Sequence, residues 1–310
     1  MEMQVTSPFD STKTCELVEH VPTGEIVRLY RDYFQTDVER FFKGIDKISI
    51  YRCPVSQLEF FHPIGLDGDS RFYEELSKGA WYYQTERWEN KQSLSFIKSG
   101  DRVLEIGSGS GFFGKYLADN VPGADYLGLE LNEKAVKDGV ASGIRLIAED
   151  SRTHSIKNPG SYDVVCSFQV FEHVSNIKAL YEDAIQLLRP GGYLLVAVPN
   201  NDLAFLRRNV MYSKVLNMPP HHVNLFTPNS LSKIGNLMGL KVEKTLKEPL
   251  MQLNRDTYLY NTVNRLFLGN NLITRAFWKL KLHFILRPIA SLFNNFINGH
   301  TVMVVYRKPQ

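Results

Sequence analysis

The stretch Val103-Leu104-Glu105-Ile106-Gly107-Ser108-Gly109-Ser110-Gly111-Phe112-Phe113-Gly114 decides the fold. A short apolar strand runs straight into alternating glycines, and a helix is predicted to begin near Gly111. Glycine has no Cβ and reaches φ > 0. Backbone N–H groups therefore come close to a ligand, while the helix turns its positive dipole end on the same spot. The pattern implies a bound nucleoside. The alternative, a tight turn with no ligand, is a costly use of three glycines. Counted from the end of the strand, the spacing is G-x-G-x-G, not the G-x-G-x-x-G that seats a pyrophosphate, so dinucleotide binding takes second place.

Outward from this turn the hydrophobic pattern alternates between periods. Strands are predicted over 102–106, 124–129, 144–148, 162–168, 192–198, 240–247 and 300–306. Helices are predicted over 112–119, 133–138 and 176–188, and from Pro228 to about Met238, with Thr227 as N-cap and proline at the first helical position. Alternation at this length gives an α/β fold: a doubly wound, mostly parallel seven-stranded sheet covered by helices on both faces.

V-L-E-I-G-S-G-S-G over Val103 to Gly111 resembles the first motif of class I S-adenosylmethionine-dependent methyltransferases. Tyr162-Asp163-Val164-Val165-Cys166-Ser167-Phe168-Gln169-Val170-Phe171-Glu172-His173-Val174, followed by Leu188-Arg189-Pro190-Gly191-Gly192, resembles the family's fourth strand and its L-x-P-G-G turn. The resemblance covers roughly residues 95–240 and implies S-adenosyl-L-methionine as cofactor. The turn residues Glu105, Gly107, Ser108, Gly109, Gly111 and Phe112 would hold its methionine part. Glu130, at the tip of the second strand and followed by Leu131, is implied as acceptor of both ribose hydroxyls. Asp150 and Ser151 fall at the family's adenine position, although Asp-Ser is also ordinary turn chemistry. Phe168 and Gln169 complete the implied pocket.

Two further segments bear on the chemistry. Ubiquinone-biosynthesis O-methyltransferases and small-RNA 2′-O-methyltransferases bind a divalent metal through E-x-x-E-H, where this chain has Gln169 in place of the first acid. Losing an anionic oxygen weakens a site for a hard dication, so no metal is expected, and Glu172 and His173 are expected to shape the cofactor pocket and cap the next helix. Pro219-Pro220-His221-His222-Val223-Asn224-Leu225-Phe226-Thr227-Pro228 resembles the P-x-H-x-x-x-F-T-P segment that lies over the transferable methyl in many small-molecule members. This implies His222 as general base, with His221 as its spare. Histidine has the pKa for that work, and a helix-capping histidine is the alternative. The acceptor would be an O or N of a small molecule, glycan or lipid headgroup. Two other classes compete: a nicotinamide-dependent oxidoreductase, which shares the strand, glycine turn and acid, and a silent S-adenosylmethionine-binding partner subunit.

The 310 residues, 44% of them hydrophobic, suit one large domain with an extension. The net charge of +3 argues against a general nucleic-acid binder. Three cysteines make no even disulfide framework, the first twenty residues carry acids and no apolar h-region, and no apolar run reaches spanning length. A cytoplasmic protein is expected. Three parts are expected: an extension over 1–94, a core over 95–253 and 299–310, and a helical insertion over 254–298.

In the extension a helix is predicted over 28–42. The stretch from Ile48 to Pro63 resembles the second knuckle of a small zinc ribbon found before the core of some natural-product and glycan-cluster methyltransferases. Here the two pairs read Cys53-x-x-Ser56 and Cys15-x-x-Val18, and two thiolates do not complete a structural zinc site. A metal-free relic is expected, against a mixed site recruiting His20 or His62. The aromatic segments Arg71 to Leu76 and Trp81 to Trp88 would, by the same resemblance, pack beside the cofactor mouth; simple docking on the sheet is the alternative.

Residues 257–298 carry Arg265, Arg275, Lys279, Lys281 and Arg287 but no Asp or Glu. In one helix, Ile273, Phe277, Leu280 and Phe284 would share a face, and Trp278, Leu282, Ile285 and Leu286 would fill much of the other. Such a surface does not face water alone. A lid, a homodimer surface and peripheral attachment at the inner membrane face are its three candidate uses.

Overall fold

The computed structural model describes residues 4–76, 87–202, 215–251, 255–266, 271–293 and 296–310. Its strands are β1 (Glu16–Pro22), β2 (Lys47–Arg52), β3 (Glu59–His62), β4 (Arg102–Ile106), β5 (Asp125–Leu129), β6 (Leu146–Ile147), β7 (Tyr162–Phe168), β8 (Leu188–Pro199), β9 (Asn224–Leu225), β10 (Lys241–Pro249) and β11 (Asn298–Arg307). The helices are α1 (Thr23–Phe34), α2 (Ser70–Leu76), α3 (Trp88–Ser93), α4 (Phe112–Asn120), α5 (Glu133–Ala141), α6 (Ser151–Lys157), α7 (Ile177–Leu187), α8 (Pro228–Leu237), α9 (Arg255–Leu266), α10 (Leu272–Lys279) and α11 (His283–Leu292).

Seven strands form the central sheet in the order β10-β11-β8-β7-β4-β5-β6. Five run parallel from β8 to β6, and β11 is antiparallel to both of its neighbours. Successive residues of the central strands feed opposite cores, as the two-residue period of a strand requires. Leu104, Val165 and Leu194 pack on one face, and Val103, Val164 and Leu195 on the other. That two-sided burial explains why these strands read as unbroken apolar runs. Chain order reverses beside β4, between its neighbours β5 and β7, which opens a crevice at the carboxyl ends of β4 and β7.

The core elements fall where the hydrophobic periods place them, with one helix unforeseen. α6 lies between β6 and β7, and Asp150 is its N-cap. Seven residues of Ser-Arg-Thr-His-Ser-Ile-Lys carry too little apolar periodicity to announce a helix. Asn176, rather than Glu172 or His173, caps α7. α8 begins as expected: Thr227 and Ser230 form a capping box with proline behind the cap.

In the extension the predicted 28–42 helix is cut short. α1 ends at Phe34 because Gln35 turns left-handed (φ 53°) and its N–H closes back on the carbonyls of Arg31 and Tyr30. Only a 3-10 turn follows at Glu39–Phe42. β1, β2 and β3 make an antiparallel sheet that takes β9, a piece of the core, as its fourth strand. The knuckle resemblance has a backbone counterpart: Ser56 N–H points to Cys53 Sγ at 3.4 Å, inside a turn closed by Cys53 N–H to Leu58 O at 2.8 Å. Cys15 lies against Cys53, and burial first, then that neighbour, pushes its thiol up to about 12. Val18 is exposed on β1, His20 pairs with Ser49, and His62 packs edge-on against Tyr51.

Among the described residues the insertion forms three helices instead of one. α10 ends at Lys279, and Lys281 adopts φ 55° before α11 begins, so the two faces predicted for a single helix do not persist. Among the described residues no helix is long and apolar enough to cross a membrane.

Candidate active site

The crevice at the end of β4 is lined by Glu105, Gly107, Ser108, Gly109, Phe112 and Phe168 of the predicted set. Arg87, Asn90, Ser110 and Phe113 join them. Gly107 has φ +75°, and a Cβ there would run into Val170. Gly111, at φ +82°, starts α4 with no side chain over its N–H groups. A cradle that only glycine permits, at the open end of a helix, is what a ligand with acceptor atoms needs.

Glu130 ties this turn together. Its Oε2 accepts Gly109 N–H at 2.8 Å, and its Oε1 accepts Leu131 and Asn132 N–H at 2.8 and 2.9 Å. The carboxylate therefore stands at the tip of β5 against the glycine turn, while the Leu131 side chain is exposed. Glu105 lies beneath, bonded to the Tyr126 hydroxyl, and burial raises its carboxyl to about 7. Asp150 is committed elsewhere: its oxygens accept Thr153 N–H at 2.8 Å and Thr153 Oγ1 at 2.7 Å, which holds its carboxyl below the usual range. Ser151 bonds Asp183 at 3.0 Å, and Gln169 donates to Glu89 at 3.1 Å. Neither lines the crevice, and Asp150 serves as the N-cap of α6.

The histidines form a second cluster on the same edge of the sheet. Val170, whose side chain stands against Gly107, leads the chain from β7 into the turn Phe171–His173, on which the 221–224 segment docks. His173 Nδ1 donates to His221 O at 2.5 Å, Val223 N–H to Glu172 O at 2.8 Å, and Asn224 Nδ2 to Val174 O at 2.8 Å. One ring nitrogen from each of His173, His221 and His222 lies within 4.8 Å of the others. Burial holds His173 down at about 4 and the other two well below the usual imidazole value, so all three are neutral near pH 7. Glu172, beside them and fully buried, is pushed up to about 8. His221 and His222 stack at 4.3 Å and 19°. The in-plane lone pairs of stacked rings run side by side and do not converge on one ion, so the cluster is better shaped for protons than for a metal.

His222 is held in one tautomer. Asn201 Nδ2 donates to Pro199 O at 3.3 Å, and Asn217 Nδ2 donates to Asn201 Oδ1. His222 Nδ1–H in turn donates to Asn217 Oδ1 at 3.0 Å, which leaves Nε2 as the basic nitrogen. Sequence reasoning missed Asn201 and Asn217, which lie in stretches with no motif. It also missed Arg87 and Asn90; Arg87 falls in the aromatic segment singled out above, whose residues 81–86 lie outside the described residues. Phe72 and Tyr73 of that region reach the cluster, with Tyr73 edge-on to His173 at 5.6 Å.

A family model described as "Methyltransferase domain" matches residues 81–245, more than half of the chain. The chain belongs to this methyltransferase family. A ubiquinone biosynthesis O-methyltransferase of Cupriavidus pinatubonensis is 28% identical over 224 residues, 63% of this chain and 89% of that one. Its namesake in Escherichia coli O6:H1 is 31% identical over 158 residues, 48% of this chain and 63% of that protein. An S-adenosylmethionine-dependent methyltransferase from Archaeoglobus fulgidus shares the fold, with a TM-score of 0.50 at 18% identity over 77% of this chain and 100% of that one. The protein is an S-adenosylmethionine-dependent methyltransferase, and the oxidoreductase and silent-subunit readings fall away. The crevice suits its cofactor: the glycine cradle admits backbone N–H groups, and a buried carboxyl at Glu105 matches a ligand bearing positive charge.

Proposed function

We propose that this methyltransferase alkylates a hydroxyl oxygen of a small molecule, with His222 as the general base. Glu105, Gly107, Gly109, Gly111 and Glu130 would hold the cofactor. When bound, S-adenosylmethionine supplies an electrophilic methyl on a sulfonium leaving group. The protein then has to orient the acceptor, exclude water and remove one proton. As the acceptor oxygen attacks, its proton passes to His222 Nε2.

The observation that carries this reading is the amide chain from Pro199 through Asn201 and Asn217 to His222 Nδ1, which reserves Nε2 for the proton. The O-methyltransferase names of the curated relatives support oxygen as the acceptor atom. His222→Ala is expected to lower turnover about 10²- to 10⁴-fold with cofactor affinity nearly unchanged. Asn217→Ala is expected to produce part of that loss by freeing the tautomer. Single-turnover kinetics with a small hydroxyl-bearing acceptor that the unaltered chain methylates, paired with cofactor calorimetry, checks both. Loss of cofactor binding in His222→Ala would move that residue to a structural role.

A further inference from the structure

The insertion between β10 and β11 leaves the sheet at Pro249 and returns at Asn298, residues paired with each other across the two strands. β11 pairs with β8 so that Thr301 faces Pro199. Both ends of the insertion therefore lie at the carboxyl edge of the parallel strands, the edge that carries the glycine turn and the histidine cluster. α9 packs on α11, with Leu259, Val263 and Ala290 buried and Arg287 Nε bonded to Asp256 at 2.7 Å. These contacts satisfy the inner side of the insertion.

Its outer side is apolar and open. Of the nineteen large hydrophobic side chains exposed among the described residues, nine fall between residues 272 and 296. Leu272 is 83% exposed, Leu280 68%, Ile285 66%, Leu292 77% and Phe296 85%. Interleaved with them are Arg275, Lys279 and Lys281, and residues 271–298 contain no acid. So many exposed large apolar side chains within one segment go beyond the singly scattered ones that a water-facing surface ordinarily carries.

We propose that α10, α11 and the turn between them form a docking face for an anionic phospholipid surface, presenting the acceptor side of the enzyme to the membrane. Charge selects this occupant. A second copy meeting the same patch across a two-fold axis would bring cation against cation. Lipid phosphates supply the opposite charge, while the apolar side chains enter the headgroup boundary. The proposal stands apart from the role of His222, since binding is read without turnover.

Flotation of the full chain tests it, with vesicles of phosphatidylcholine alone and of phosphatidylcholine mixed with phosphatidylglycerol. The chain is expected to float with the anionic vesicles, to be released by salt and to ignore the neutral ones. Lys279→Glu with Lys281→Glu is expected to weaken binding on the order of a hundredfold. Leu280→Ser with Ile285→Ser is expected to lose it at low salt as well. All four positions are exposed, and unchanged cofactor affinity by calorimetry shows that the variants are folded. A chain that stays in the soluble fraction at low salt overturns the proposal. So does equal binding to neutral vesicles, or a dimer in sedimentation that Leu280→Ser with Ile285→Ser dissolves.

Discussion

Glu105 is a carboxyl held near neutrality at the floor of the crevice proposed to take the cofactor, raised to about 7 by burial against the opposing pull of the Tyr126 hydroxyl. A cationic ligand favours its ionised form, so cofactor binding should release a proton around pH 7. Affinity is expected to rise about tenfold per pH unit below that value and to level above it, and Glu105→Gln to flatten the dependence. Calorimetry in buffers of differing ionisation enthalpy reads the proton directly. The sign for folding is opposite. A raised carboxyl contributes stability that is complete below its unfolded pKa and lost as pH rises through the folded one. The apoprotein should therefore lose stability as pH rises from about 4.5, the ordinary carboxyl value, to about 7 to 8, where Glu105, Glu172 and Glu248 have given up their protons. At the histidine cluster, the stacked rings and Gln169 argue against a catalytic dication. Dialysis against a chelator is expected to leave turnover unchanged, and a loss restored by added metal would overturn this.

The glycine turn works as an element because Gly107 meets Val170 of the loop after β7. One contact thus joins the cofactor cradle to the Phe171–His173 turn on which His221 and His222 rest. Gly107→Ala combines a left-handed φ with a clash, and is expected to cost about 1–3 kcal/mol of stability and at least tenfold in cofactor affinity. Adding Val170→Ala should remove the clash but not the φ penalty, recovering stability in part. Thermal melts and calorimetry on the single and double variants separate the two terms. If the double variant gains nothing, the Val170 contact is not what makes the position sensitive.

Across the whole molecule, the extension and the core share the segment that carries His221 and His222. β9 completes the N-terminal sheet, and Val215, Met218, Val223 and Leu225 pack into one cluster with Ile26, Tyr30 and Phe72. The buried Tyr30 hydroxyl donates to Met218 O at 2.9 Å, four residues before His222. Tyr30→Phe is expected to cost about 0.5–1.5 kcal/mol of stability. It should raise the acceptor KM while the cofactor Kd stays constant, because the glycine turn is anchored on separate strands. Initial-rate kinetics with both substrates varied checks this; a matching change in cofactor affinity would show that the two halves of the site are one unit.

The sequence by itself determined the central sheet and the glycine cradle. Strand and helix periods there report burial on a regular lattice, and only glycine takes the φ values of the turn, so both are local properties of the chain. The N-cap at Thr227 was legible for the same reason. The end of α1 at Phe34 and the short α6 were not legible, because a left-handed Gln35 and an Asp150 cap override weak periodicity. Tertiary structure alone decided that β9 crosses to the N-terminal sheet. It also decided that Asn201 and Asn217 orient His222. Each joins residues distant in the chain through hydrogen bonds whose geometry exists only once the core has closed, and such pairings leave no period and no spacing to read.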